Sequence, residues 1–219
     1  MAGVVDILTL GVAPDRAKVL CILVHGRGQT PEDMEAAIIR RLSAPDVRFA
    51  LPRAAGKSWY SARAIDPLTD ATRAELGASL AGLAATLTDL RHSAPGRPLV
   101  LAGFSQGACL SLEHAFARSA PPNAVAAFTG CRVGVPGDDR PTALPMDLPV
   151  YLSAGSDDPW ISVPAFAEAA ADLGRAGAAL RCDVVPARPH EVSAAEIAMF
   201  DSLLRDLSAG RPPRMGGAR

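Results

Sequence analysis

The sequence Gly-Phe-Ser-Gln-Gly at residues 103–107 constrains the fold of this chain more than any other stretch. It follows a short, continuous apolar run at residues 99–102, which is typical of a strand covered on both faces. Apolar residues then recur at helical spacing as far as Phe116, which predicts a helix. A serine at a tight turn between such a strand and a helix is strained and lifted out of the sheet, so Ser105 is a candidate nucleophile.

The two glycines of this turn have a steric role in this interpretation. Side chains at residues 103 and 107 would collide across the turn, and glycine removes that collision. The following helix directs its first amides towards the surroundings of Ser105. The other side of that helix carries three polar residues, Glu113, His114 and Arg118. A glycine-flanked turn with an uninvolved serine is the alternative, so other parts of the chain must decide.

The composition indicates a globular domain without basic or membrane-spanning segments. Hydrophobic residues make up 49% of the 219 residues, and the net charge of −1 leaves no surplus for nucleic acid or an anionic membrane. No stretch approaches the roughly 18 apolar residues of a membrane span. Residues 1–10 contain an acid and lack a basic start with a long apolar core, so we expect no signal peptide.

Four cysteines lie far apart and have no metal-ligand spacing: Cys21, Cys109, Cys131 and Cys182. Two fall in predicted strands and one in the helix after the serine, where free buried thiols are common. We therefore expect a reducing, cytoplasmic environment and no metal site.

Strands alternate with helices along the chain, which predicts one mostly parallel sheet with helices on both faces. We predict strands at residues 4–10, 19–24, 47–51, 99–102, 124–128, 150–153 and 180–185, the first at an edge and the third ended by Pro52. We predict helices that begin near residues 31, 69, 106, 163 and 194, the first two extending to residues 42 and 92. These elements predict a single α/β domain over residues 1–208, followed by a flexible tail at 209–219.

A serine hydroxyl becomes a good nucleophile only when a neighbouring base takes its proton, and a carboxylate must orient that base. In proteins with this turn the chain order is serine, acid, histidine. His25 and His92 precede the serine, and His114 lies about 13 Å along the helix at 1.5 Å per residue. His190 follows a predicted strand and precedes a capped helix. It is the predicted base, with a solvated loop histidine as the alternative.

The acid should follow the strand at residues 150–153. Asp157 and Asp158 both lie there, and either could accept the Nδ1 proton of His190. A developing oxyanion would also need amide donors. We predict the backbone N–H groups of Gln106 and Arg27, the latter in the segment His-Gly-Arg-Gly at residues 25–28, with its side chain free to face substrate or solvent. An ordinary glycine turn is the alternative for that segment.

Both tryptophans lie in loops after predicted strands, on the rim where open α/β sheets bind ligands. We predict that Trp59 and Trp160 line an apolar pocket, and ordinary packing of these loops against the domain is the alternative. Cys131 also follows a strand end, where a buried structural thiol is the simpler interpretation.

The motifs at residues 25–28, 103–107, 158–159 and 190–193 together resemble the phospholipase/carboxylesterase family, which includes acyl-protein thioesterases and small bacterial carboxylesterases. The resemblance spans about residues 17–207 and implies an α/β-hydrolase fold without a large cap. In that family the acid directly precedes a proline, which favours Asp158 over Asp157. Two segments depart from the family pattern: residues 154–155 read Ala-Gly instead of His-Gly, and residues 187–189 read Ala-Arg-Pro instead of Gly-Met-Gly.

The resemblance implies a serine hydrolase that cleaves carboxylic esters with short to medium acyl groups through an acyl-enzyme on Ser105. The expected partner is a small-molecule ester or thioester, and neither metal nor organic cofactor is needed. A lysophospholipase or an acyl-protein thioesterase is the alternative within enzymes. A non-catalytic relative that binds a ligand is the alternative from another class. The sequence is compatible with a homodimer.

Overall fold

The structure, a computed structural model, describes residues 3–117 and 120–215, and every element named below lies within these ranges. One sheet contains the strands β1 (Val4–Gly11), β2 (Val19–Val24), β3 (Val47–Ala54), β4 (Leu99–Phe104), β5 (Ala124–Phe128), β6 (Pro149–Gly155) and β7 (Ala179–Val185). Their spatial order is β1-β3-β2-β4-β5-β6-β7. β1 pairs with β3 in antiparallel orientation, and every other pair in this sheet is parallel.

Helices cover both faces of this sheet. They are α1 (Pro31–Ala37), α2 (Asp70–Ser93), α3 (Gln106–Phe116), α4 (Val163–Arg175) and α5 (Ala194–Ser208). Side chains alternate across each strand, so the core has two clusters. Leu20, Ile22 and Val24 of β2 belong to the cluster with α2, α3 and α4. The intervening residues of β2 belong to the cluster with α1 and α5. The mostly parallel sheet with helices on both faces is therefore confirmed.

β3 does not end at Pro52, as the sequence suggested, but continues to Ala54. Its register with β2 runs only from Val47 to Ala50, whereas its register with β1 pairs Pro52 with Ile7. Proline lacks a backbone N–H and is tolerated in a strand where one side of that strand has no partner. The strand can therefore pass through this proline.

α1 is shorter than predicted. Thr30 caps it in a capping box with Asp33, but the α-helix ends at Ala37 and a 3-10 turn (Ile39–Arg41) follows. Ile38 follows the helix in a non-helical conformation, with φ −124°. It is still fully buried, as the apolar periodicity predicts. The 3-10 bonds tighten the last turn, and the chain then turns back into β3.

α3 is buried on all sides, including Glu113 and His114, which the sequence placed on a side away from the apolar face. Glu113 is 3% exposed because the guanidinium of Arg132 pairs with it at 2.8 Å and the N–H of Val133 donates to it at 2.9 Å. A loop that returns from β5 thus covers the second side of this helix. Arg118, the third polar residue, lies outside the described residues.

All four cysteines are free thiols. Cys21, Cys109 and Cys131 are buried, but Cys182 is exposed because it lies in β7, an edge strand of the sheet. In the described residues, no helix combines the length and the apolar character needed to cross a membrane.

The first part of the predicted flexible tail contacts the domain. Arg211 and Arg214 donate hydrogen bonds to the carboxylate of Asp206, and Arg181 of β7 donates to the carbonyl of Met215 at 3.2 Å. Residues 216–219 of that tail lie outside the described residues. Strands β2 to β7 run parallel, so their carboxyl ends meet at one edge of the sheet, where open α/β sheets place their sites. The predicted site residues follow these strand ends.

Candidate active site

Ser105 lies between β4 and α3 with φ 55° and ψ −121°. This backbone conformation is strained for a residue with a side chain, and such residues persist where their surroundings hold them. The N–H of Ser105 donates to the carbonyl of Phe128 at 2.9 Å, and its carbonyl accepts from the N–H of Cys109 at 3.0 Å. The end of the neighbouring strand β5 and the helix after the serine thus hold it in this conformation.

The glycines at residues 103 and 107 are required by close backbone contacts. A Cβ atom on Gly103 would lie 2.3 Å from the carbonyl oxygen of Gly107, which is the collision across the turn that the motif predicts. A Cβ atom on Gly107 would lie 2.2 Å from the carbonyl oxygen of Val24 in β2. The second glycine therefore also lets α3 approach the neighbouring strand, which the motif alone does not reveal.

Three side chains from distant loops form one chain of hydrogen bonds. Nε2 of His190 lies 2.9 Å from Oγ of Ser105, and Nδ1 of His190 lies 2.7 Å from Oδ2 of Asp158. A carboxylate only accepts, so Nδ1–H donates to Asp158 and Nε2 is left to accept from the serine hydroxyl in the neutral imidazole. The loops that carry Ser105, Asp158 and His190 follow β4, β6 and β7 at the same edge of the sheet.

Asp158 is oriented from its other oxygen as well. Its Oδ1 accepts the N–H groups of Trp160 at 2.8 Å and Ile161 at 2.9 Å, and its side chain is fully buried. Asp157, the alternative acid, instead accepts the hydroxyl hydrogen of Ser156 at 2.8 Å. Of the two neighbouring carboxylates, Asp158 is therefore the one that contacts His190.

The two predicted amide donors belong to different segments, Gln106 to the start of α3 and Arg27 to the loop after β2. Gln106 is the first residue of α3, where backbone N–H groups have no acceptor within the helix. Its side chain fixes the loop beside it: Oε1 accepts the N–H of Trp59 at 3.0 Å, and Nε2 donates to the carbonyl of Tyr60 at 2.7 Å. Gly26, next to Arg27, is held by a hydrogen bond from its N–H to the side chain of Gln29 at 3.0 Å.

The sequence suggested that the side chain of Arg27 is free to face substrate or solvent. In the structure it is held by hydrogen bonds. Its guanidinium donates to the carbonyl of Ser61 at 2.9 Å and to that of Ala62. Arginine offers five N–H donors in a rigid plane, so one side chain can hold two carbonyls at once. Arg27 therefore ties the loop after β2 to the loop after β3 across the mouth of the site.

His25 is a buried bracing residue and lies outside the chain of hydrogen bonds described above. Its Nε2 accepts from the N–H of Ala54 at 3.1 Å, so the proton is on Nδ1, which donates to the carbonyl of Gly26 at 2.7 Å. Burial lowers the pKa of this imidazole below its ordinary value, because the charged form would lose its hydration. The neutral imidazole thus holds the loop after β2 in place.

A cavity of about 250 Å³ opens beside Ser105 and His190. It is also lined by Arg27, Tyr60, Arg63, Ala64, Gln106, Cys109, Trp160 and Ile161. Trp160, one of the two predicted pocket residues, lines this cavity and is 64% exposed at its rim. Tyr60 and Ile161 were missed from the sequence, although each directly follows one of the tryptophans.

Trp59 does not reach this cavity, which corrects the prediction from the sequence. It is fully buried, its indole N–H donates to the carbonyl of His25 at 2.8 Å, and its ring lies 4.9 Å from the His25 ring. Cys131 is also buried, with its Sγ 3.8 Å from Sγ of Cys109, so it lies behind the cavity wall. Both residues pack in the interior.

In the described part of the chain, no group of three or more histidine, cysteine and acidic side chains is arranged to hold a metal ion. Arg188, which the sequence marked only as part of a departure from the family pattern, is a buried arginine two positions before His190.

Comparison with known proteins agrees with the fold. A solved phospholipase/carboxylesterase from Dyadobacter fermentans is 29% identical, with a TM-score of 0.81 over 93% of this chain and 98% of that chain. The solved esterase PE8 is 25% identical, with a TM-score of 0.74 over 94% and 99% of the two chains. A carboxylesterase from Mesorhizobium loti, 18% identical, shares the fold with a TM-score of 0.72 over 95% and 99%. No curated protein sequence matches this chain.

The architecture is that of an α/β-hydrolase. Residues 11–207 match the model of the phospholipase/carboxylesterase family, and the chain belongs to that family. It is a carboxylic ester hydrolase, and its substrate is a small molecule. The resemblance inferred from the four sequence motifs is thereby confirmed.

The buried His25 imidazole makes stability depend on pH. Because its pKa is lowered in the folded protein, the unfolded chain binds a proton more readily, and stability is lost as the pH falls below the ordinary value of 6.5. We expect the free energy of unfolding, measured by urea titration at several pH values, to decrease less between pH 7.5 and 5 in a His25→Gln variant than in the wild type. Equal slopes for the two proteins would contradict this assignment.

Proposed function

We propose that this protein hydrolyses carboxylic esters with short to medium acyl groups through an acyl-enzyme formed on Ser105. His190 acts as general base and then as general acid, and Asp158 orients the imidazole and stabilises its charged form. The observation that supports this assignment best is the continuous contact from Oγ of Ser105 through His190 to Asp158, with separations of 2.9 and 2.7 Å. Membership of the family supplies the class of reaction.

In the first half of the reaction the Ser105 hydroxyl attacks the ester carbonyl while its proton moves to Nε2 of His190. The tetrahedral intermediate carries its negative charge on the former carbonyl oxygen, and the backbone N–H groups of Gln106 and Arg27 are proposed to bind it. The imidazolium then protonates the leaving alcohol, and the acyl group remains on the serine. Asp158 stays ionised throughout and accepts from Nδ1–H.

In the second half water takes the place of the alcohol. His190 removes a proton from this water as it attacks the acyl-enzyme, and the same two amides bind the second oxyanion. Collapse of this intermediate returns the proton from Nε2 to Oγ of Ser105 and releases the carboxylic acid. The side chain of Arg27 contributes to the reaction only indirectly. Its hydrogen bonds to the loop at residues 61–62 hold the backbone of Arg27 in place.

The cavity supports a substrate of limited size. Its volume of about 250 Å³ lies below the roughly 300–1,000 Å³ of pockets that enclose drug-sized ligands. Tyr60, Ala64 and Ile161 give it apolar walls, and the exposed ring of Trp160 lies at its rim. We propose that Trp160 covers the acyl chain, whereas Trp59 acts through packing behind His25.

A Ser105→Ala variant tests the proposed nucleophile. We expect kcat/KM on 4-nitrophenyl butyrate to fall at least about 10³-fold, because no other hydroxyl lies in the contact chain with His190 and Asp158. The control is Ser111→Ala, which changes a buried serine of α3 whose hydroxyl donates to the carbonyl of Gly107 at 2.8 Å. That variant should stay within about threefold of wild type. A Ser105→Ala enzyme that keeps more than about a thousandth of the activity would refute the assignment.

A Trp160→Ala variant tests the proposed acyl site. We expect kcat/KM to fall about fivefold on butyrate to octanoate esters and less on acetate, since the longer chains lose an aromatic face. The matched control is Met146→Ala, which removes an exposed apolar side chain, 75% exposed, away from the cavity. An unchanged profile across the series would exclude Trp160 from the acyl site. A wild-type optimum on long-chain thioesters or lysophospholipids would favour the alternative functions.

A further inference from the structure

Arg188 places a buried guanidinium inside the turn that carries His190. The residue is 3% exposed, and its Nη1 donates to the carbonyl of Pro189 at 3.0 Å and to the carbonyl of Glu191. One nitrogen therefore holds the carbonyl groups on both sides of the histidine. The same side chain therefore holds the peptide unit that enters His190 and the one that follows Glu191.

The guanidinium is anchored on its other sides by two more elements. Nη2 donates to the hydroxyl of Thr129, directly after β5, at 2.8 Å. Nε lies 3.3 Å from the carboxylate of Glu196 in α5, an ion pair without a hydrogen bond. Glu196 is fully buried and also accepts from the hydroxyl of Ser153 in β6 and, at 2.7 Å, from the N–H of Ser193. The turn with His190 is thus tied to the sheet and to α5.

The backbone of Arg188 contacts the loop that carries the acid. Its carbonyl accepts the N–H of Asp157 at 3.3 Å, and a Cβ atom on Gly155 would lie 2.1 Å from that carbonyl oxygen. Arg188 therefore joins the loops of Asp158 and His190, its backbone to the first loop and its side chain to the second.

Thr129 is held in an uncommon conformation to make this contact. It is fully buried and has φ +57°, which is rare for a β-branched residue. Its own N–H donates to the carbonyl of Ser153 at 2.9 Å, and the carbonyl of the preceding Phe128 accepts from Ser105. Strain of this kind concentrates at functional sites. Here it occurs at the residue that lies between the nucleophile and the guanidinium.

We propose that Arg188 is a positioning residue for the hydrolysis, which rests on the proposed function of His190. Its guanidinium fixes the turn so that Nε2 of His190 faces Ser105 and Nδ1 faces Asp158. A buried ion pair such as Arg188 with Glu196 is weak evidence for stability, because both charges lose their hydration. Precise placement of the base has a larger effect, since an error of about 1 Å in an active site can cost about 10²-fold in rate.

The test compares Arg188→Ala and Arg188→Lys with the wild type on 4-nitrophenyl butyrate, well below the unfolding temperature of each variant. We expect Arg188→Ala to lower kcat about 10²-fold and to change KM by less than about twofold, because the base is misplaced while the cavity walls remain. Arg188→Lys keeps a charge for Glu196 but cannot hold two carbonyls and Thr129 together, so its kcat should fall about tenfold. This second variant carries the test if Arg188→Ala does not fold.

The effect of added guanidinium ion on kcat is a measurement that would not change if Arg188 had a purely structural role. Added at tens of millimolar, the ion can enter the space left in Arg188→Ala and should restore part of kcat, whereas sodium chloride at equal ionic strength should not. The matched control is Arg132→Ala, which removes another buried arginine, 2% exposed, whose guanidinium holds Glu113, Asp172 and the carbonyl of Pro141 instead of the turn with His190. That variant should lose thermal stability and keep kcat within about threefold.

The outcomes separate this proposal from the proposed function. A folded Arg188→Ala enzyme with kcat within about threefold of wild type overturns the positioning role, and so does an equal loss of kcat in Arg132→Ala. A large fall in kcat that guanidinium ion does not reverse, together with a raised KM, also overturns it. Activity that persists in Ser105→Ala overturns the proposed function instead, whatever the Arg188 variants do.

Discussion

The backbone of Ser105, held at positive φ between a central strand and a buried helix, is the constraint on which the rest of the site depends. That conformation requires glycine at residues 103 and 107, because any side chain there would meet backbone atoms at 2.2 to 2.3 Å. It also requires the carbonyl of Phe128 at the end of β5 to accept the serine N–H. The strain is therefore balanced by contacts from three neighbouring parallel strands, β2, β4 and β5, which end at one edge of the sheet.

The chemistry depends on bringing loops from four further strand ends to this serine. Each loop is held by polar contacts buried behind the cavity. His25 and Trp59 brace the loop after β2, Gln106 fixes the loop after β3, and the Arg188 network joins the loops after β6 and β7. The cavity itself has few charged side chains, whereas the layer behind it contains buried histidine, arginine and glutamate. Rigid support of this kind is what an acyl-transfer site needs, because its hydrogen-bond donors and base must be placed before the substrate arrives.

Much of the fold could be predicted from local patterns, because β2, β4 and β5 are covered on both faces and read as continuous apolar runs. Strand and helix ends were less predictable. Pro52 lies within β3 only because β2 leaves that side of the strand free, which depends on pairing between distant segments. At the site, chain order singled out Ser105 and His190, and the family resemblance favoured Asp158 over Asp157. These three side chains lie in contact. The burial of Trp59 and the contacts of Arg188 could not be predicted from local sequence patterns, because each depends on partners far away in the sequence.

The central claim is that Ser105 is the nucleophile activated by His190, and the most direct measurement is the site of covalent modification. A fluorophosphonate reacts with an activated serine, and intact mass followed by peptide mapping locates the adduct. We expect one phosphonyl group per chain, on Ser105, and at least about 10³-fold slower labelling in a His190→Gln variant. Modification of a different residue, or active enzyme that is not modified at all, would contradict this account.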